Sequence, residues 1–164
     1  MRGRVKAPAL ALAFALGWGS GAAAHGATLC TATVSQMVFG LYDTISPVAT
    51  DTTASVQVSC TPGVSSPLTT SYVVTIAGTG SGNDSVRAIS NGAYLLYYQV
   101  HSNAARSVVW GNGGASGAGV AGSVTASAAL VPASQTHTAY GRLAARQAVP
   151  PGVYGGTLLV TVDY

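Results

Sequence analysis

Apolar residues in this chain recur every second position over short runs, and no long stretch repeats at the helical period. Ser55 to Cys60 puts Val56, Val58 and Cys60 on one face, and Ser71 to Ala77 groups Tyr72, Val74 and Ile76 opposite Val73 and Thr75. A period of two is the mark of a strand that buries one side. Cys30 to Val34 predicts an earlier strand, followed by the apolar group Met37-Val38-Phe39-Gly40. From Ala93 to Val100 both faces are apolar, Leu95, Tyr97 and Gln99 opposing Leu96, Tyr98 and Val100. That pattern predicts a central strand with its tyrosines, Tyr94 included, in the core. Gly111 to Ser123 is nearly all Gly, Ala, Ser and Val, which predicts a flexible connection. Strands resume near Thr136 to Leu143, and Pro150-Pro151-Gly152 predicts a turn. The final run alternates most clearly: Leu158, Val160, Val162 and Tyr164 share one face from Thr157 to Tyr164. Short strands between turn clusters predict an all-β sandwich or barrel. With so clean a strand at its end, the sandwich is expected to lack the neighbour that would cover it.

The first residues read differently. Arg2, Arg4 and Lys6 precede an apolar run from Ala9 to Trp18, and small residues lead to Ala22-Ala23-Ala24. A charged start, a short apolar stretch and an A-x-A site predict a signal peptide over residues 1–24. The apolar run falls short of the ~20 residues needed to cross a bilayer. Cleavage after Ala24 would leave one domain, residues 25–164, beginning at His25 and exported through the periplasm to the surface.

Export changes the meaning of the charge. The formal net charge of +3 comes from Arg2, Arg4 and Lys6. The rest holds four arginines, Arg87, Arg106, Arg142 and Arg146, against four aspartates, Asp43, Asp51, Asp84 and Asp163. Nucleic acid and anionic membranes therefore find no electrostatic attraction. A domain of near-zero net charge favours association with copies or partners. The cysteines, Cys30 and Cys60, predict a disulfide in an oxidising compartment. On the chain-entropy account such a bond stabilises by ~3–4 kcal/mol.

Catalytic chemistry finds no foothold. His25, His101 and His137 lie far apart with no metal-ligand spacing. No GxSxG occurs, and the aspartates are isolated, which leaves neither a nucleophile elbow nor a carboxylate pair. Gly111-Asn112-Gly113-Gly114 lacks the Lys-Ser/Thr ending of a phosphate loop. Neither an enzyme nor a cofactor is expected. Tyr140-Gly141-Arg142 reads as structural: a buried aromatic, a close-packed glycine and an arginine paired with a carboxylate or carbonyls.

Taken in order, several pieces resemble the spore coat protein U domain family, whose members include subunits of archaic chaperone–usher pili. They are Cys30 with Phe39-Gly40-Leu41-Tyr42, Val56-Gln57-Val58-Ser59-Cys60, and Tyr72-Val73-Val74. Arg87-Ala88-Ile89-Ser90-Asn91-Gly92, Leu96-Tyr97-Tyr98-Gln99-Val100 and Val109-Trp110-Gly111 follow. Tyr140-Gly141-Arg142 and Gly152-Val153-Tyr154, with the ending Leu159 to Tyr164, complete the set.

The resemblance implies an immunoglobulin-like, pilin-like sandwich lacking its final strand. It implies as partners a periplasmic pilus chaperone, an outer-membrane usher and other pilin-like subunits that join by strand addition. On that reading Leu158, Val160, Val162 and Tyr164 line one wall of a donor-strand groove and Val34 the other. Phe39, Gly40, Tyr140, Gly141 and Arg142 are the family's structural motif. The competing expectation is a secreted adhesin or matrix-binding module that does not polymerise. Cleavage after Ala24 leaves only His25, Gly26, Ala27, Thr28 and Leu29 before Cys30. That stretch reaches ~17 Å and offers one large apolar side chain. The expectation is a subunit that accepts a strand without donating one, placed at a fibre's tip.

Overall fold

The computed structural model describes residues 28–63, 68–78, 82–83 and 85–164. The expected signal peptide lies outside them. Among the described residues the chain forms β1 (Leu29–Val34), β2 (Thr50–Thr61), β3 (Leu68–Gly78), β4 (Gly82–Asn83) and β5 (Val86–Asn91). β6 (Tyr94–His101), β7 (Val120–Ala126), β8 (Ala133–Leu143) and β9 (Leu158–Asp163) follow. The strands make two antiparallel sheets, one ordered β1-β2-β8-β6-β5-β4 and the other β7-β3-β9. This is an incomplete immunoglobulin-like sandwich.

Alternation decides which side chains meet between the sheets. Val56, Val58, Leu96, Val100, Ala139 and Leu143 point inward from the large sheet. Tyr72, Val74, Ile76 and Val124 answer from the small one. Trp110 is fully buried among them, and its indole N–H donates to the Val74 carbonyl at 2.8 Å. Arg87 is buried too, and its guanidinium donates to the carbonyls of Ile76 and Trp110 at 2.8 and 2.9 Å and to Gln99. The guanidinium thus joins β5 to β3 through hydrogen bonds that a buried charge requires.

Cys30 stands directly opposite Cys60 in the β1–β2 ladder, and the two sulfurs are bonded. The bond fastens an edge strand that shares its ladder with one neighbour.

Two expectations fail. Gly111 to Ser123 is not a free connection: Gly111 is buried, a 3₁₀ turn covers Gly114–Ser116, and β7 begins at Val120. Small residues hide the strand because they carry little alternation, yet the position requires them. A Cβ at Gly122 would lie 2.6 Å from the Tyr72 ring. The tyrosines of β6 also divide. Tyr98 is buried, but Tyr94 and Tyr97 are exposed. β6 lies between β8 and β5, but the small sheet covers only one face of the large one.

A polar contact sits at the partly open margin of the sandwich. The Tyr72 hydroxyl donates to Gln135 Oε1 at 2.6 Å and lies 2.9 Å from His137 Nε2, which then carries the ring hydrogen. The imidazole also meets the Tyr72 and Trp110 rings edge-on. Burial pushes the His137 pKa below the ordinary histidine value. Burial does the same at His101, opposed by a contact to the Tyr140 carbonyl and assisted by Arg142, Arg106 and Arg87. The unfolded chain therefore takes up protons at these sites before the folded chain does. Stability is full above ~pH 6.5 and declines as pH falls through that value toward the lower folded pKa values. Urea midpoints should drop between about pH 7.5 and about pH 5, and His137→Gln should reduce the drop. An equal midpoint at both values would contradict this.

Candidate functional site

The edges of the two sheets differ from their interiors. Facing residues of an antiparallel pair project to the same side, so Ala32 and Val34 of β1 point where Val58 and Val56 point. Val56 and Val58 are 1% and 0% exposed, whereas Val34 is 47% exposed. Ala32 is exposed as well. The small sheet does not reach far enough to cover β1. On its other side Leu158, Val160 and Val162 of β9 face inward beside Gly78, Ile76 and Val74 and are only half-buried. β1 and β9 approach each other but share no ladder among the described residues.

Where the two sides diverge, a groove of about 1060 Å³ opens. One wall is the segment from Val34 to Thr44, and the other runs from Val149 to Gly156 and on to Leu158 and Val160. Its floor is the core itself, including Val56, Ile76, Leu96, Val100 and Leu143. A small-ligand cleft is typically ~300–1,000 Å³ and gathers a few convergent polar groups. This groove is at the upper end of that range and floored by aliphatic side chains. At its rim Leu41 and Val153 are almost wholly exposed.

Of the expected groove residues, Val34, Leu158 and Val160 line the cavity. Val162 packs against the core farther along β9, and Tyr164 lies past the end of the strand, 57% exposed. Sequence reasoning missed the rest of both walls. Met37 and Tyr42 pack against the core from a segment with no strand geometry, and Val149 and Tyr154 do so from the arm before β9.

The motif residues brace this wall. Gly40 turns the chain at φ 72°. Phe39 meets the Tyr98 ring edge-on at 5.7 Å. Gly141, on the inner face of β8, leaves the space they need: a Cβ there would lie 2.5 Å from Met37 Sδ and 3.0 Å from the Phe39 ring. On the outer face Arg142 donates to both carboxylate oxygens of Asp51 at 2.7 and 2.8 Å. Arg106 sits 3.3 Å from the same carboxylate and 5.7 Å above the half-buried Tyr140 ring. The hydrogen bond from Arg142, with both guanidinium charges, holds Asp51 below the usual carboxylate range. Among the described residues no group of His, Cys, Asp or Glu is placed to hold a metal ion.

The sequence profile of the Spore Coat Protein U domain matches residues 20–161. The solved structures include a similar fold in the CsuC–CsuE chaperone–tip adhesion subunit pre-assembly complex from archaic chaperone–usher Csu pili of Acinetobacter baumannii. That match has 18% identity and a TM-score of 0.53, and it covers 84% of this chain but only 40% of the other. No curated protein matches.

Gly141→Ala tests the bracing. Met37 can swing away, but the Phe39 ring and Thr52 methyl cannot move freely, so the added methyl should destabilise by ~1–3 kcal/mol. Urea denaturation measures the loss, and a wild-type midpoint would show that Met37 and Phe39 do not depend on that space.

Proposed function

The chain belongs to the Spore Coat Protein U domain family, and we propose that it is an exported subunit of a chaperone–usher type surface fibre that accepts a donor strand between β1 and β9. The observation that carries this reading is that the inward-facing residues of both edge strands are left half-covered beside a groove floored by the core. A strand laid there would satisfy free edge N–H and C=O groups while its alternate side chains filled the groove. A periplasmic chaperone would supply it first and a partner subunit afterwards, during passage to an outer-membrane usher. The short segment expected ahead of Cys30 favours an acceptor at the fibre's tip, and such a subunit should form no homopolymer when incubated alone.

The strand's two faces provide the test. Val160 and Val162 point inward and Thr161 outward, so Val160→Asp or Val162→Asp would place an unpaired charge in apolar surroundings. Either should abolish co-purification with the cognate chaperone, while Thr161→Asp should leave it near wild type. Equal losses from all three would remove β9 as the docking strand.

A further inference from the structure

The two walls of the groove are tied together at the end where β2 begins and β8 finishes. Tyr42, from the wall that follows β1, donates its hydroxyl hydrogen to the Ala144 carbonyl at 2.6 Å. The Tyr42 hydroxyl oxygen in turn accepts the Gln147 backbone N–H at 2.9 Å, at the root of the arm that forms the other wall. Gln147 is itself held on three sides. Its Oε1 accepts the Tyr97 N–H at 2.7 Å, and its Nε2 donates to the carbonyls of Tyr97 at 2.8 Å and Ala144 at 3.0 Å. β8 pairs with β6 only as far as Leu143 opposite Tyr98. The Gln147 amide therefore takes the place of a further strand residue beside Tyr97, donor to acceptor and acceptor to donor. Arg146, at φ 57°, makes the turn that brings it there at the cost of a conformation few non-glycine residues adopt.

We propose that this Tyr42–Gln147 clasp is the stop of the groove, setting the length and register at which an entering strand comes to rest. Toward Cys30 the seam is bounded by two edge strands without a shared ladder, and an entering strand would have to part them by one strand spacing. At the clasp the walls are joined through the Tyr42 hydroxyl, which donates to the Ala144 carbonyl and accepts the Gln147 backbone N–H, so a strand cannot advance without breaking these bonds. Register matters because a slip of one residue turns every apolar side chain of the entering strand away from the core. The clasp is a positioning device. Tyr42 lines the groove, and Gln147 acts through it.

This inference rests on the strand-accepting function proposed above, and one experiment separates the two. Peptides alternating valine and threonine, lengthened two residues at a time, are titrated against the exported chain, its Tyr42→Phe variant and its Gln147→Ala variant. With the wild type, affinity should rise about tenfold per added valine and then level off. Both variants should keep gaining for at least one further valine. Tyr42→Phe retains the ring and loses only the hydroxyl, whereas Gln147→Ala keeps the backbone N–H that meets Tyr42 but removes the side-chain amide that anchors it to Tyr97 and Ala144. No binding to the wild type at any length would overturn the strand-accepting function itself. A wild-type affinity that never levels off, a plateau at the same length in all three, or lost binding in both variants would overturn the stop alone.

Discussion

A sandwich core closes only when each inward-facing side chain of one sheet meets a side chain of the other. In this molecule the large sheet extends one strand beyond the small one's reach, and β1 pays the penalty in exposed apolar surface. Val34 and Val56 face the same way in the same ladder, yet one is half exposed and the other buried. β9 has the complementary deficit, its inward residues only half-covered beside Ile76 and Val74. The disulfide and the motif glycine act on the side of this gap, and the Asp51–Arg142 pair ties β2 to β8 from the outer face behind it. They hold β1, the segment after it and the β2–β8 pair in place without the strand that would normally fasten them.

The braces are local where the missing strand would have been general. Cys30–Cys60 fixes the near end of β1. Beyond Val34 the chain loses its ladder and is held by single contacts. Ser35 donates its N–H to the Ser55 carbonyl at 2.9 Å, and Thr52 donates its hydroxyl to the Val38 carbonyl at 2.6 Å. Met37 and Phe39 then settle over Gly141. A wall built this way keeps its apolar face toward the groove without filling it. The four arginines and four aspartates of residues 25–164 leave that stretch near neutral, a balance that favours association over repulsion.

Alternation made β2, β3 and β9 legible in the sequence, because a half-buried strand must place apolar residues at every second position, and β6 showed as a short run apolar on both faces. The paired cysteines pointed to the bond for a similar reason, since few other uses suit two thiols in an exported chain. What stayed hidden depends on close approach or on single side chains. β7 has glycine where its inward face must lie against Tyr72 and alanine and serine beside it, so the alternation of Val120 and Val124 is broken at Gly122. Tyr97 looks like core in sequence, but the sheet it sits on has one bare face. The groove's second wall, from Val149 to Gly156, has no periodicity at all, and the Gln147 amide imitates a strand residue that no propensity could announce.

Amide hydrogen exchange of the exported chain, alone and saturated with a strand-forming peptide, tests most directly whether the gap between β1 and β9 is a vacancy for a strand. If it is, amides of β1 and β9 that do not pair with β2 or β3 exchange quickly in the free chain and become protected when the peptide binds, while β2, β8 and β6 change little. Protection of those edge amides already present in the free chain, or new protection confined to other strands, would contradict the account.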